Sequence, residues 1–489
     1  MQLHSPSRQT HGQFISRALP AAQQMGGADV ALSSCTCEAR SVRPGDVFVA
    51  IDVDGEGHDT AKQAVEQGAV AIVSDRYLPV FGVPQYVVED SRVAYSELCH
   101  SLLDNPCREL NGIAIAGSHG KTSVAVLLES ILLAAGKSVA CQTNQYTRID
   151  GRRSRLVLPT TAPGIAEFVD ESLAAGCRHA VVELSEEAIR SQVASAAEFD
   201  VVCLTNLHGD QVAEDRSPVA IRQSIASAIK LMSPDGMAVF NADDQDSMRL
   251  LAEHEGPTCT FGLHHPADVA GSVVEQYVNE QTFFLSIGDD TAAVRTSIVG
   301  EAHIQNCLAA AAIARVYNVS LQDIALGIEQ VTCIPGVMHR FDAGLGVSVF
   351  FDRGNTPIAL GAVLSAARKV ACGRVISVVN TPSPVTDALA DHTISTCEFT
   401  KDAVVTEAVA NVLAALDVTD GNTLRHIAEK LSGIAVAMLQ AEEGDVVVAS
   451  GLGSDLPQEH QSARSIKEPY LVQDLLNELA AKLPTKSAA

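Results

Sequence analysis

Short apolar runs bounded by glycine, proline and aspartate alternate with longer helical patterns along most of this chain. In the first stretch, residues 47–51 and 69–73 are such runs, and residues 60–67 between them have helical composition and end before Gly68. Runs of this length predict buried strands, and a glycine directly after the last helical residue is typical of a helix end. The pattern predicts a small α/β domain over residues 1–110.

The middle of the chain, residues 111–334, repeats the alternation with longer elements. A β-like run at 113–116 precedes the glycine-rich sequence GSHGKT at 117–122, and an apolar helical segment at 123–135 leads to a further strand at 138–142. This order of strand, glycine loop, helix and strand is typical of a βαβ unit in a parallel sheet. The remaining elements predicted here are strands at 180–184, 201–204 and 237–241 and helical segments at 221–232 and 302–325.

The last stretch, residues 335–489, again alternates between the two patterns. It predicts a third, Rossmann-like α/β domain. Its predicted strands are 347–351, 375–379, 403–405 and 446–449, and its predicted helices are 359–371 and 423–439. The fold class predicted for the whole chain is therefore α/β, with a central domain whose sheet is mostly parallel.

Composition narrows the range of functions. Hydrophobic residues make up 47% of the chain, which excludes global disorder, and the 34 Lys+Arg against 59 Asp+Glu give a net charge of −25. Such acidity disfavours binding to nucleic acid or to an anionic membrane. The first 27 residues are polar, no apolar run reaches the length of a spanning helix, and the 12 Cys lack zinc spacing. We expect a cytoplasmic protein without membrane insertion.

The glycine loop carries the strongest chemical signal. A turn of this kind between a strand and a helix directs backbone N–H groups at a phosphate, and the helix N-terminus adds about half a positive charge. Lys121 supplies a full charge, and the Thr122 hydroxyl can hold Mg²⁺. The match to the general phosphate-loop pattern is partial, because its first glycine would fall at Ile115. The alternative is an ordinary glycine turn that happens to precede Lys-Thr.

Motifs on both sides of this loop follow one another in a fixed order. They are CEAR at 37–40, VRPGDVFVA at 42–50, GHD at 57–59, GAVAIV at 68–73, AGSHGKTS at 116–123, Thr160-Thr161, ELS at 183–185, TNL at 205–207, Asp210, NADD at 241–244, Gly300, Asn306, Asp352 and Thr356-Pro357. In the order and spacing of these motifs the chain resembles the Mur ligase family, and within it the UDP-N-acetylmuramoyl-tripeptide synthetases.

The resemblance implies an ATP-dependent ligase of peptidoglycan precursor synthesis, with a uridine-nucleotide domain first and an ATPase domain second. Such enzymes convert a carboxylate of a UDP-N-acetylmuramoyl-peptide into an acyl phosphate, which the amine of an amino acid attacks. The implied catalytic residues are Lys121 and Glu183, and Thr122 and Glu183 would hold Mg²⁺. Implied contacts to ATP are Gly117, Ser118, His119, Gly120, Lys121, Thr122, Ser123, Asn306, Arg340 and Asp352; implied substrate contacts are Arg40, Thr160, Thr161 and Ser185. We expect a monomer.

Several positions depart from the family pattern. Gln211 replaces a histidine, Ile225 replaces a lysine for which Lys230 is the nearest substitute, and Val337 replaces an arginine for which Arg340 is the nearest. The third domain lacks the family's cationic loops, and we expect it to be shortened. An active ligase of this kind stays the first interpretation, and two alternatives to it stay open. One is a catalytically weakened relative that binds nucleotide or UDP-sugar peptide in a regulatory or scaffolding role, and the other is a different ATP-dependent ligase on the same fold.

Overall fold

The computed structural model describes residues 3–4, 13–51, 60–153, 158–209, 216–342, 346–396, 426–427, 430–451 and 473–477. Within these residues, three β-sheets follow one another along the chain, each flanked by helices. The α/β class and the three-part organisation predicted from the sequence are confirmed. No helix in this part of the chain is both long enough and apolar enough to cross a membrane.

The first sheet is small and mostly parallel. Its strands are β1 (Leu3–His4), β2 (Gln23–Met25), β3 (Ser34–Thr36), β4 (Val47–Val49), β5 (Ala71–Ser74) and β6 (Gln85–Val87), and its helices are α1 (Ile15–Ala18), α2 (Ala61–Glu66) and α3 (Ser91–Ser101). The strand order is β1-β3-β4-β5-β6-β2, with β3 to β6 parallel. Successive side chains of β4 enter opposite apolar clusters, Val47 beside α3 and Phe48 beside α2.

The central sheet is the largest element of the fold. Its strands are β7 (Asn111–Ala116), β8 (Val139–Gln142), β9 (Thr147–Ile149), β10 (Arg152–Arg153), β11 (His179–Glu183), β12 (Phe199–Leu204), β13 (Met232–Asn241), β14 (Thr258–Gly262), β15 (Val269–Gln276), β16 (Gln281–Ile287) and β17 (Asp290–Thr296). The order is β10-β9-β8-β11-β7-β12-β13-β14-β15-β16-β17. The neighbours in the run β8-β11-β7-β12-β13-β14-β15 are parallel, and the strands at both ends of the sheet pair antiparallel.

Helices cover both faces of this sheet. They are α4 (Lys121–Ala134), α5 (Ala162–Ala174), α6 (Glu186–Arg190), α7 (Pro218–Ala226), α8 (Gln245–Glu253), α9 (Glu301–Val316) and α10 (Leu321–Glu329). Two predictions need correction here. The helix predicted at 221–232 ends at Ala226 and continues as the 3-10 turn Ser227–Leu231. The helix predicted at 302–325 is two helices, because Asn318 adopts a left-handed conformation (φ 55°) and Ser320 caps α10.

The third sheet is Rossmann-like. Its strands are β18 (His339–Asp342), β19 (Ser348–Asp352), β20 (Val375–Val379), β21 (His392–Thr396), β22 (His426–Ile427) and β23 (Val446–Ser450), and its helices are α11 (Pro357–Val370), α12 (Pro384–Leu389) and α13 (Lys430–Gln440). The order is β18-β19-β23-β20-β21-β22, and all strands except β18 are parallel. The strand predicted at 403–405 lies outside the described residues.

The three units share apolar contacts. Helix α3 packs on α5, and the Ser96 hydroxyl donates to the carbonyl oxygen of Val193 across 3.2 Å. Helix α11 contributes Leu360 and Leu364 to the same apolar cluster as α9. The domain limits at 110 and 334 fall between the sheets and stay a prediction.

Candidate active site

The glycine loop lies between the buried strand β7 and helix α4, as the local sequence requires. Gly117 and Gly120 both have positive φ, at 145° and 82°. A Cβ on Gly117 would lie 1.9 Å from Thr205 Oγ1, and one on Gly120 would lie 2.2 Å from Asn306 Oδ1. Both positions therefore need glycine, because neighbouring polar side chains occupy the space that a Cβ would fill.

The end of β12 holds the loop in place. Asn206 receives a bond from the backbone N–H of His119 at Oδ1 (3.0 Å), and its Nδ2 donates back to the carbonyl oxygen of His119 (3.1 Å). The Thr205 hydroxyl donates to that same carbonyl oxygen at 2.6 Å, and the N–H of Ser118 donates to the Asn206 carbonyl oxygen at 3.1 Å. The loop is thus fixed before any ligand arrives.

Lys121 is the first residue of α4, and its ammonium group folds over the loop. The side chain is 9% exposed, and Nζ donates to the carbonyl oxygens of Gly117 (2.8 Å) and Ser118 (3.3 Å). Ser123 is buried in the first turn of the same helix. A positive charge and a helix N-terminus therefore meet at one point, which is the arrangement that binds a phosphate group.

Thr122 faces a buried carboxylate at the end of the neighbouring strand β11. Its hydroxyl lies 3.0 and 2.9 Å from the two carboxylate oxygens of Glu183, which is 2% exposed. Asn144, after β8, donates to the same carboxylate from its backbone N–H and from Nδ2, both at 3.2 Å. Hard oxygen donors of this type suit Mg²⁺, which also keeps waters and phosphate oxygens in its coordination shell.

The described residues contain no group of three or more His, Cys, Asp and Glu side chains that could hold a metal ion. Magnesium at a nucleotide site needs no such group, because one or two protein oxygens and the phosphates suffice. The Thr122–Glu183 pair therefore fits a nucleotide-bound Mg²⁺ and not a metal held by the protein alone.

Asn306 approaches the loop from α9, with its amide beside Gly120. The preceding Gln305 donates to Asp243 at 3.2 Å. Asp243 also accepts from the N–H groups of Leu263 and His264, and these bonds lower the pKa of its carboxyl group although burial opposes them. The NADD motif at 241–244 thus anchors the helix that carries Asn306.

The third domain reaches the loop through the end of β19. Asp352 is buried and accepts from the N–H groups of Met338 (2.9 Å) and Gly354 (2.7 Å), while burial raises the pKa of its carboxyl group. Four residues later, the Thr356 hydroxyl lies 3.4 Å from His119 Nε2. The structure therefore brings residues of the loop and of the predicted third-domain site together.

Arg340 and Val337 occupy the entry to the third domain. Arg340 is half-buried on β18, and its Nε lies 3.4 Å from the Ser348 hydroxyl. Val337 packs against the large apolar cluster that continues into α9. The position where the family carries an arginine is thus part of the apolar packing.

The predicted substrate contacts are more dispersed. Arg40 is exposed on the 3-10 turn Ala39–Ser41 of the first domain. Thr160 immediately precedes Thr161, which is the N-cap of α5 and accepts from the N–H of Gly164. Ser185 is the N-cap of α6 and accepts from the N–H of Ala188. Two of the four side chains therefore already have a structural role, and the assignment of all four stays a prediction.

An apolar side chain occupies the position where the family pattern has a lysine. Ile225 is fully buried on α7 among the apolar side chains beneath the sheet. Lys230 is exposed on the following 3-10 turn. Asp210 and Gln211 lie outside the described residues.

Sequence reasoning missed Asn144. It follows β8, a parallel strand that neighbours β11, so its amide reaches Glu183 across the carboxyl edge of the sheet. A polar residue directly after a predicted parallel strand was the available signal. What the sequence did not reveal is that β8 and β11 are neighbours.

The chain is similar to known proteins over most of its length. Residues 115–314 match the model of the Mur ligase middle domain. The UDP-N-acetylmuramoyl-L-alanyl-D-glutamate–2,6-diaminopimelate ligase of Geobacillus thermodenitrificans is 29% identical over 443 residues, which cover 86% of this chain and 89% of that protein.

Solved structures share the whole fold. A UDP-N-acetylmuramoyl-L-alanyl-D-glutamate–2,6-diaminopimelate ligase superposes with a TM-score of 0.67 and 17% identity, covering 94% of this chain and 99% of the other. The MurF ligase of Thermotoga maritima in complex with ADP superposes with a TM-score of 0.58 and 18% identity, covering 91% and 98%. Residues 115–314 therefore match a Mur ligase middle domain, and the chain as a whole is similar to Mur ligases in sequence and has their fold.

Proposed function

We propose that the protein is an ATP-dependent ligase that joins an amino acid to the peptide carboxylate of a UDP-N-acetylmuramoyl-peptide in peptidoglycan precursor synthesis. The observation that carries the proposal is the fixed loop with Lys121 on one side and the Thr122–Glu183 pair on the other. A loop that is held by Thr205 and Asn206 before ligand binds is preorganised for phosphoryl transfer, which depends mostly on positioning and charge.

In this reaction the carboxylate attacks the γ-phosphorus of ATP, ADP leaves, and an acyl phosphate forms. The amino acid's amine then attacks the acyl carbon, an amide forms, and inorganic phosphate leaves. Lys121 stabilises the charge on the transferring phosphoryl group, and Asn306 and Asp352 contact the nucleotide from either side of the loop. Mg²⁺, held by Thr122 and Glu183, would neutralise phosphate charge. We infer that the protein is cytoplasmic, since ATP and UDP-linked precursors are cytoplasmic compounds. We also infer a monomer.

The direct test is amino-acid-dependent phosphate release. Purified protein is incubated with ATP, Mg²⁺, UDP-N-acetylmuramoyl-L-alanyl-D-glutamate and, in turn, each of a panel of amino acids that includes diaminopimelate, lysine and neutral amino acids. We expect at least one amino acid to stimulate release. Lys121→Ala should lower that rate by about 100-fold or more, the usual effect of removing one preorganised charge from a transition state.

Lys137→Ala is the matched control, because Lys137 lies just beyond the opposite end of α4 and is only partly buried. It should leave the rate unchanged. Phosphate release that no amino acid stimulates would contradict the proposal. If the protein still bound ATP in a Lys121-dependent manner, that result would favour the nucleotide-binding relative without ligase activity.

A further inference from the structure

One side-chain pair joins the phosphate loop to the third domain. His119 Nε2 lies 3.4 Å from Thr356 Oγ1, which is a long contact, and Thr356 itself is 6% exposed. His119 is the third residue of the loop and is half-buried. The imidazole therefore lies between the point where phosphate would bind and the start of α11.

The backbone of His119 belongs firmly to the central domain. Its N–H and its carbonyl oxygen are both bonded to the Asn206 side chain, and the carbonyl oxygen also accepts from Thr205. The imidazole therefore projects from a backbone that is already fixed, beside the place where nucleotide phosphates would bind.

Thr356 belongs just as firmly to the third domain. It is the N-cap of α11, with its hydroxyl accepting from the N–H of Ala359 at 3.3 Å and proline at the first helical position. A contact to Thr356 is thus a contact to the whole helix and not to a flexible loop.

Helix α11 also touches the central domain at points beyond its first turn. Leu360 and Leu364 enter the apolar cluster shared with α9, and a Cβ on Gly300, at the start of α9, would lie 3.0 Å from the Ala366 Cβ. In the last turn, Lys369 forms an ion pair with Glu301. His119 therefore touches the first turn of a helix whose middle and last turn are already seated on the same domain.

We propose that His119 is a positioning residue that couples nucleotide on the loop to the seating of α11, and with it of the third domain. Coupling of this kind is reciprocal, so nucleotide should stabilise the seated helix as much as the seated helix strengthens nucleotide binding. Anionic phosphate would also attract the N-terminus of α11, which the contact brings towards the loop. The inference rests on the proposed function only in assigning nucleotide to the loop.

Hydrogen exchange of the full-length protein tests the coupling without requiring ligase chemistry. A non-hydrolysable ATP analogue with Mg²⁺ should slow exchange of the backbone amides in residues 356–366 by about tenfold, a coupling of about 1.4 kcal/mol. His119→Ala should reduce this protection to less than about twofold. His119→Gln should restore most of it, since the glutamine amide can occupy the place of Nε2.

The control for loss of a helix cap is Ser320→Ala. Ser320 caps α10 by accepting from the N–H of Asp323, and α10 packs on the second half of α4, at Ser130 and Ile131, and not on the loop itself. This variant should keep the full protection of residues 356–366. If His119→Ala keeps it as well, the proposal is wrong.

A double-mutant cycle separates coupling from direct contact with nucleotide. His119→Ala and Thr356→Val should each weaken analogue binding several-fold, and the double variant should be no weaker than the worse single variant, because both remove the same interaction. If the two losses of affinity multiply in the double variant, the inference is wrong and the proposed function is unaffected. Intact coupling without amino-acid-dependent phosphate release would overturn the proposed function alone, and failure of the wild-type protein to bind the analogue would overturn both.

Discussion

Glu183 is a carboxylate almost completely withdrawn from solvent, and the donors that reach it within the described residues, Thr122 and Asn144, are neutral. A buried charge normally persists only where a counter-charge or a metal compensates it. The same two oxygens face the helix that carries Lys121, at the place where nucleotide phosphates would bind. At the residue scale, a buried carboxylate that only neutral donors reach within the described residues is the main support for the proposed Mg²⁺.

Removing that charge should weaken metal binding. Glu183→Gln keeps the shape of the side chain but should raise the Mn²⁺ concentration needed to half-saturate the nucleotide complex by about 100-fold, as changes at metal sites commonly do. Electron paramagnetic resonance of Mn²⁺ in the presence of an ATP analogue measures this directly. Glu187→Gln, at an exposed position on α6, is the control. Equal Mn²⁺ affinity in the two variants would contradict the assignment.

The burial of His100 predicts how the free energy of unfolding depends on pH. It is fully buried beside Cys107, and burial lowers its pKa from 6.5 to about 4. The unfolded chain therefore takes up a proton at a higher pH than the folded protein does. The contribution of His100 is fully present above about pH 6.5 and is lost as the pH falls to about 4, by up to about 3 kcal/mol.

Urea denaturation at pH 7 and pH 4.5 checks this expectation. His100→Gln should lose less of its free energy of unfolding between these pH values than the wild-type protein does. His392→Gln, at an exposed position on β21, should behave like the wild type. An unchanged pH dependence in His100→Gln would show that the histidine is not buried in its neutral form.

At the scale of elements, the two ends of α4 illustrate how one residue type serves two purposes. Gly120 precedes the helix and Gly136 follows it, both with positive φ. Only at Gly120 does a neighbour occupy the Cβ position, since Asn306 Oδ1 is 2.2 Å away, whereas nothing lies within 4 Å at Gly136. The first glycine therefore shapes the site, and the second only ends the helix.

Alanine at each end separates these effects. Both substitutions should cost about 1–2 kcal/mol of stability, because both place a side chain in the left-handed region. Gly120→Ala should in addition displace Asn306 and abolish measurable binding of an ATP analogue by calorimetry. Gly136→Ala should bind the analogue like the wild-type protein. Similar binding by both variants would mean that Asn306 is not needed at the loop.

The parallel core and the loop could be predicted from sequence because their signals are local. An apolar run, a glycine turn and an apolar helix follow one another within 25 residues. The antiparallel hairpins β15–β17 were missed, since their side chains alternate irregularly between buried and exposed and a bulge shifts the register near Val273. Thr205 and Asn206 can hold the loop only because β7 and β12 are neighbours in the sheet. The sequence of either strand alone does not reveal this pairing.

At the scale of the whole molecule, the proposed function requires a protein with a net charge of −25 to hold two anionic ligands. At the loop, positive charge is supplied locally, since Lys121 is buried there and two helices begin beside it. Contacts between domains, such as that of His119 with Thr356, could not be predicted because they join residues 237 positions apart. The sequence predicted which residues have a chemical role. It could not predict how these residues are placed relative to one another across the domains.

Transfer of oxygen from substrate to phosphate shows whether ATP activates a substrate carboxylate as an acyl phosphate. UDP-N-acetylmuramoyl-L-alanyl-D-glutamate labelled with ¹⁸O in the glutamate carboxylates is incubated with ATP, Mg²⁺ and the amino acid that stimulates turnover. We expect one ¹⁸O atom in each inorganic phosphate released, because the phosphate leaves with a carboxylate oxygen. Phosphate without ¹⁸O would mean that ATP is simply hydrolysed by water, and would contradict the proposed function.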